Sequence, residues 1–168
     1  MNQEPSGKTI LIDGYNLMWT TATLNPVARF DFNHARDLLI LMLRAYQDHS
    51  GDEVILVLDG YKGRSPYARR VEREGIGIVI TGRGMTADRW IMSAVERPGF
   101  DGRVVSSDRE IVNFCRSRNV PVTSSGSFEK ILMECVEKRR DLSDTLKSRR
   151  GHFRGRFKGR RGRPRGRP

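Results

Sequence analysis

Short apolar runs rich in β-branched residues alternate along this chain with longer stretches that carry apolar residues at helical spacing. The short runs are residues 9–12, 54–58, 76–81, 103–106 and 120–123, and the longer stretches are 33–49, 86–97, 108–118 and 127–140. This alternation is typical of βαβ units, in which a crossover helix packs against a parallel sheet. The sequence therefore predicts an α/β fold with a mainly parallel central sheet.

The predicted helices have recognisable ends. Gly51 follows the first one, Thr86 is placed to cap the second, and Pro98 stops that second helix. Residues 61–74 join two predicted strands but contain few apolar residues, so we expect a basic flap or a poorly packed short helix there. Its cations are candidates for lining a nucleic-acid path, although an ordinary solvated surface would look the same: Lys62, Arg64, Arg69, Arg70 and Arg73.

Positive charge is concentrated at the C-terminal end. The chain has 31 Lys and Arg against 20 Asp and Glu, and the last 20 residues hold ten of the cations and none of the acids. The remaining 148 residues are therefore almost neutral. We predict a domain over residues 1–148 and a separate basic tail over 149–168. A polyanionic partner is expected to bind the tail before the domain, because the tail carries the net positive charge.

The tail alternates Arg with Gly and has almost nothing to bury, which predicts disorder. Guanidinium groups on a flexible backbone suit phosphate contacts and base stacking. The repeat RGRP resembles both RNA-binding arginine-glycine segments and a minor-groove hook for A·T-rich DNA. RNA and A·T-rich DNA are both candidate partners of the tail, and a merely solubilising tail is the alternative. The predicted nucleic-acid-binding residues are Arg154, Arg156, Arg160, Arg161, Arg163, Arg165 and Arg167.

Several protein classes fit poorly. The two cysteines, Cys115 and Cys135, form no CxxC pair or Cys/His cluster, so we expect a reduced, cytoplasmic setting without a zinc site. The longest apolar run, residues 38–43, is far too short to span a membrane, and the N-terminus lacks a signal-peptide core.

Four aspartates follow predicted strands or begin the helices after them: Asp13, Asp59, Asp88 and Asp108. Because parallel strands place their C-terminal ends at one edge of the sheet, we expect these carboxylates to meet there. Two unit charges about 4 Å apart repel by roughly 4 kcal/mol at an effective dielectric near 20. A divalent cation, Mg²⁺ or Mn²⁺, would remove that cost.

A hard divalent ion held by carboxylates can polarise a phosphodiester and activate water without a nucleophilic side chain. Asn16 would support such a site through its amide, with Ser107 and Thr86 beside the acids. Structural roles remain open at this point. Asp108 is equally suited to cap a helix, and Asp59 before Gly60 is a common turn signal.

The motifs ILIDGYNLM at 10–18, TAD at 86–88 and VVSSD at 104–108, with a strand that ends before Asp59, resemble the YacP-like branch of the NYN domains within the PIN-like nucleases. The resemblance implies a three-layer PIN-like sandwich and a metal-dependent ribonuclease. It implies that Asp13, Asn16, Asp59, Asp88 and Asp108 are catalytic and that the four aspartates are metal ligands. Relatives carry glutamates around TAD where this chain has Met85 and Arg89, which weakens a second metal position.

Two functions therefore stay open: a metal-dependent endoribonuclease and a nucleic-acid-binding adaptor without catalysis. RNA is the expected partner, and DNA is a second candidate through the tail. A protein or ribonucleoprotein partner is also expected to be possible.

A further motif points to a different function. Residues 82–87 match the GxGxxG/A fingerprint of dinucleotide-binding proteins. The match follows the third predicted strand instead of the first, so we give it little weight.

Overall fold

The computed structural model describes residues 7–60 and 65–155, with side chains described as far as Asp144. The strands are β1 (Thr9–Asp13), β2 (Glu53–Leu58), β3 (Arg69–Arg73), β4 (Ile76–Ile80), β5 (Gly102–Val105) and β6 (Val122–Thr123). The helices are α1 (Gly14–Thr20), α2 (Asn25–Phe30), α3 (Phe32–Ser50), α4 (Ala87–Val95), α5 (Arg109–Ser117) and α6 (Ser125–Gly155).

These strands form one sheet in the order β3-β4-β2-β1-β5-β6, in which β3 is antiparallel to β4 and all other neighbours are parallel. Successive strand residues point to opposite faces. In β1, Ile10 and Ile12 pack with α1, α2, α3 and α6, whereas Leu11 packs with α4 and α5. The sheet is therefore the middle of three layers, and the predicted α/β class is confirmed.

All five predicted strands and all four predicted helices are present. Apart from the C-terminal end of the last helix, their ends shift by one or two residues, and the starts of α4 and α5 coincide with predicted caps. The Thr86 side chain accepts a hydrogen bond from the Arg89 N–H and caps α4. Asp108 caps α5 by accepting from the N–H groups of Glu110 and Ile111. Capping residues satisfy backbone donors that have no partner inside the helix, which makes them readable from sequence.

The predicted flap over residues 61–74 is wrong in its second half. Arg69–Arg73 is an edge strand, β3, which pairs with β4 through a two-residue hairpin at Glu74 and Gly75. Both hairpin residues have positive φ, 52° and 76°, as a tight turn of this type requires. Every residue of β3 is exposed, so the strand shows no alternation of apolar and polar residues. Residues 61–64 lie outside the described residues.

Two short helices between β1 and α3 were not predicted. α1 has seven residues and α2 has six, which is too short for an apolar period to be recognised. α1 begins directly after β1, where the Asp13 side chain accepts from the Asn16 N–H. α2 has a proline in its first turn, a position that proline tolerates.

The last helix is longer than predicted. α6 extends to Gly155, so the expected domain boundary at residue 148 falls inside it. Residues 156–168 lie outside the described residues, and the basic tail stays a prediction. Within residues 7–60 and 65–155, no helix has both the length and the apolar character that crossing a membrane requires.

The start of α6 is joined to α3 through Phe128, which is 2% exposed and packs edge-to-face on Tyr46 with ring centroids 5.1 Å apart. We predict that Phe128→Ala lowers the free energy of unfolding by about 3–5 kcal/mol, because the cavity forfeits these contacts. Leu142→Ala is the matched control on the same helix, since Leu142 is 67% exposed. Urea unfolding measures both. Equal stability of the two variants would contradict this packing.

Candidate active site at the strand ends

The centre of the sheet contains a topological switch point. The chain leaves β1 toward the helices of one face and leaves β5, its neighbour, toward α5 on the other face. Ligands of open α/β sheets bind in the crevice that such a divergence creates at the strand ends. Asp13 is the last residue of β1, and Ser106 directly follows β5. The predicted edge is thus the edge at which sheets of this topology place their ligands.

Asp13 is buried, with 4% of its surface exposed. One carboxylate oxygen accepts a hydrogen bond from the Asn16 N–H at 3.1 Å, and the other accepts from the Ser106 hydroxyl at 3.1 Å. Among the described residues, no Lys, Arg or His forms an ion pair with it. A buried charge is costly unless it is paired, and the described residues give Asp13 hydrogen bonds but no ion-pair partner.

Burial raises the pKa of Asp13 from its ordinary 3.8 to about 6. The hydrogen bonds from Asn16 and Ser106 act in the opposite direction, because they stabilise the charged form. The carboxylates of Asp88 and Asp59 raise the pKa further by repulsion. Three of the four predicted aspartates therefore lie within electrostatic reach of one another.

Asp59 is held where β2 meets the start of α4. Its Oδ1 accepts from the Ala87 N–H at 2.6 Å. The next residue, Gly60, has its N–H bonded to the Thr81 hydroxyl at 3.0 Å. A Cβ on Gly60 would lie 1.9 Å from the Thr81 carbonyl oxygen, so only glycine permits this approach. Gly60 therefore lets the chain after β2 lie close to the chain after β4. The Asp59 carboxylate beside it is fixed by its hydrogen bond from Ala87.

Asp88 and Asp108 complete the acidic cluster. Burial raises the pKa of Asp88, and repulsion from Asp108, Asp59 and Glu110 raises it further. Asp108 caps α5 through one carboxylate oxygen, which accepts from Glu110 N–H at 2.8 Å. The capping interpretation of Asp108 is confirmed, and the role of Asp59 and Asp108 in a site stays a prediction. Each carboxylate is fixed by a helix N-terminus while it also acts on Asp88.

Two hydrogen bonds accepted by its side-chain oxygen fix the orientation of Asn16. That oxygen accepts from the Ser107 N–H at 2.8 Å and from the Ser125 hydroxyl at 2.7 Å. A backbone N–H can only donate, so the atom that faces Ser107 is the oxygen. The predicted role of Asn16, which is to orient a phosphate or a metal-bound water, therefore falls to its amide NH₂ group, which donates to no described residue, and this role stays a prediction.

Sequence reasoning missed three residues of this site. Ser106 and Ser125 are fully buried and bond to Asp13 and Asn16, and Glu110 acts on Asp88. Serines give little signal in a single sequence, because their hydroxyls serve many local roles. Of the predicted supporting residues, Ser107 accepts from the Ser125 N–H at 3.0 Å, whereas Thr86 caps α4.

Two of the β3 arginines that were predicted to line a nucleic-acid path form ion pairs with acidic residues. Arg70 pairs with Glu53 at 2.8 Å, and Arg73 pairs with Asp37 at 3.0 Å. Arg69 forms no ion pair with a described residue. Lys62 and Arg64 lie outside the described part of the chain. The interpretation of Arg70 and Arg73 as ordinary solvated residues is thereby strengthened.

The dinucleotide pattern at residues 82–87 leads into the N-terminus of α4, where a pyrophosphate would have to bind. The Asp59 carboxylate already accepts from Ala87 there, and Asp88 stands in the first turn. Two acids at that position repel a pyrophosphate. The pattern also follows β4, away from the switch point, so the geometry disfavours the dinucleotide interpretation.

The oxygen ligands of the acidic cluster suit Mg²⁺ or Mn²⁺. Among the described residues, no three Asp, Glu, His or Cys side chains stand ready to hold one ion between them. Mg²⁺ is usually bound by one or two carboxylates and several waters. The donor set therefore fits an ion with few direct protein ligands, and the metal stays a prediction.

The raised pKa of Asp13 predicts a pH-dependent stability without divalent ions. The folded chain keeps a proton that the unfolded chain releases between about pH 4 and pH 6, so stability falls as pH rises through that window. The loss is about 3 kcal/mol for a shift of this size. We expect the Asp13→Asn variant to lack this pH-dependent loss of stability. Urea unfolding in EDTA across pH 4–7.5 measures the free energy of unfolding, and a variant at an exposed acid, Asp101→Asn, is the control. Parallel wild-type and Asp13→Asn profiles would contradict the burial cost.

Comparisons with known proteins agree with this architecture. The model of the YacP-like NYN domain matches residues 10–159. The uncharacterized protein YacP of Bacillus subtilis is 29% identical over 82 residues, which is 49% of this chain and 48% of that protein, so the alignment spans about half of the relative.

Two crystal structures of Rae1 (YacP) from Bacillus subtilis share the fold. One of them, the structure of a point mutant, has a TM-score of 0.69 at 20% identity over 84% of each chain. The other has a TM-score of 0.69 at 19% identity, over 87% of this chain and 85% of that one. The nuclease-like fold is therefore that of this family, and the chain belongs to the YacP-like NYN domain family.

Proposed function

We propose that this protein is a metal-dependent endoribonuclease that hydrolyses RNA phosphodiester bonds at the acidic cluster. The observation that carries the proposal is Asp13, a buried carboxylate with two hydrogen bonds, no described cation and repulsion from Asp59 and Asp88. Acidic groups cluster in this way where a bound ligand offsets the cost of burying carboxylates close to one another. A divalent ion would do so here, as it does in phosphodiester-cleaving sites generally.

Asp13 and Asp88 are the residues that we expect to hold the ion most directly. Both have a raised pKa, so both gain most from a neighbouring positive charge. Asp59 and Asp108 each commit one carboxylate oxygen to a helix N-terminus and would act through the other oxygen or through bound water. The ion would supply Lewis-acid activation of the phosphate and of water.

Asn16 would orient the substrate. Its oxygen is occupied by Ser107 and Ser125, so its amide NH₂ can donate to a phosphate oxygen. Ser106 holds the Asp13 carboxylate in place and also accepts from the Asp108 N–H at 3.0 Å. One hydroxyl thus couples the positions of two acids, which keeps the geometry of the site fixed before substrate arrives.

Cleavage assays with purified protein and Mg²⁺ or Mn²⁺ test the proposal. We expect Asp13→Asn and Asp88→Asn to lower the rate roughly 100-fold or more, because each removes a charge that holds the ion. Asp101→Asn is the matched control, since Asp101 is an exposed acid paired with Lys8. Wild-type rates in both cluster variants would remove these residues from the mechanism. Absence of cleavage with every RNA tested would favour the adaptor function.

Metal binding gives a readout that does not depend on activity. We predict that Mn²⁺ raises the melting temperature of the wild-type protein and raises that of Asp13→Asn much less, since a ligand that binds only the folded state stabilises it. The difference should grow as pH rises above about 6, where Asp13 is ionised. Equal shifts for the wild-type and variant proteins would place the ion elsewhere.

The basic tail would add affinity for RNA without choosing the cleavage site. We predict that removing residues 156–168, which leaves α6 as described, flattens the salt dependence of RNA binding. If the tail neutralises about five phosphates, the slope of log K against log salt changes by roughly 3.5 units. Fluorescence anisotropy across a range of salt concentrations measures this. The same assay with A·T-rich DNA decides between RNA and DNA, and an unchanged slope would refute the tail's role.

A further inference from the structure

Three aromatic rings stack beside the acidic cluster. Tyr15 and Trp19 are four residues apart in α1, so they share one face of that helix. Phe32, the first residue of α3, lies against both. Its ring centroid is 5.0 Å from that of Tyr15 at an interplanar angle of 21°, and 6.4 Å from that of Trp19 at 26°. The rings are therefore close to parallel.

We define the aromatic surface as the stacked rings of Tyr15, Trp19 and Phe32 together with Phe30, which lies two residues before Phe32 in the chain. Trp19 is 41% exposed, and Phe30 at the end of α2 is 96% exposed. Tyr15 and Phe32 are half-buried against the core and hold the outer ring in place. Clustered exposed aromatic residues mark a binding surface more often than a defect in packing.

The aromatic surface is continuous with the acidic cluster. Asp13 caps the helix that carries both Tyr15, two residues further along the chain, and Trp19, six residues further along. Burial raises the pKa of the Tyr15 hydroxyl, the nearby Asp59 carboxylate raises it further, and the Arg36 guanidinium lowers it. Tyr15 therefore stands at the boundary between the acids and the rings.

Cations accompany the rings. Arg29 is exposed in the last turn of α2, next to Phe30, and Arg36 lies near Tyr15, where it also pairs with Asp37 at 3.2 Å. Flat rings with neighbouring guanidinium groups are the two components of surfaces that bind single-stranded nucleic acid. Bases stack on the rings, and the cations contact phosphates. A purely apolar protein partner would not require the cations.

We propose that the aromatic surface binds unpaired bases of the RNA substrate by stacking, and so directs single-stranded segments into the acidic cluster. The proposal rests on the function proposed above in taking RNA as the substrate. Bases in a duplex are already stacked on one another, so a duplex cannot offer a base face to Trp19. Selection of unpaired RNA would then be a property of the fold.

The two tryptophans allow a direct test. Trp90 packs in the other hydrophobic cluster, beneath Arg97, so Trp90→Phe leaves Trp19 as the reporter. In EDTA, where no cleavage occurs, we expect an oligouridylate to quench the fluorescence of Trp90→Phe and a duplex of equal length to leave it unchanged. Trp19→Phe, which retains Trp90, is the matched control and should show no quenching. Equal quenching by duplex, or none by oligouridylate, would overturn the proposal.

Affinity provides the second measurement. Stacking contributes about 1–3 kcal/mol per base, so Trp19→Ala should weaken oligouridylate binding at least about five-fold. Trp19→Phe should restore most of that affinity because a phenyl ring also stacks. Wild-type affinity in Trp19→Ala, with its fold verified by thermal unfolding, would overturn the proposal and leave a protein partner as the occupant.

The two proposals fail separately. Quenching of Trp19 by oligouridylate in a protein that cleaves no RNA with any metal would refute the nuclease and support the stacking surface. Metal-dependent cleavage without quenching, and with equal rates on paired and unpaired RNA, would refute the stacking surface and support the nuclease.

Discussion

The site depends on placing a negative charge at the end of the central strand of the sheet. Asp13 ends β1, which is buried on both faces and flanked by β2 and β5. Solvent cannot stabilise a carboxylate there, and hydrogen bonds from Asn16 and Ser106 offset only part of the cost, since the pKa is still about 6. The fold tolerates a destabilised group at a place where ligands bind, which is common at functional sites.

The other acids are held by the same backbone that builds the fold. Asp59 accepts from the first residue of α4, and Asp108 caps α5. These interactions are ordinary structural ones, and each also fixes the direction of a carboxylate. The serines work in the same way, because Ser106 connects Asp13 to Asp108 and Ser125 fixes Asn16. These hydrogen bonds fix the side chains before any ligand arrives, which is what the proposed nuclease function would require.

Sequence reasoning predicted what strong local patterns encode. The parallel strands, the helix starts at Thr86 and Asp108, and the convergence of the strand-end acids all follow from periodicity and topology. It failed where the pattern is weak. The strand β3 is exposed throughout, and α1 is too short to show a period. Contacts such as that of Ser125 with Asn16 join residues far apart in the chain, so no local signal could reveal them.

The central proposal is that the buried Asp13 carboxylate binds a divalent ion. A crystal structure of the full chain grown with Mn²⁺, with anomalous scattering measured near the manganese edge, tests it most directly. The account predicts an anomalous peak within bonding distance of an Asp13 oxygen, with Asp88 as ligand or one water away. A well-ordered cluster without such a peak, at a Mn²⁺ concentration that supports cleavage, would contradict it.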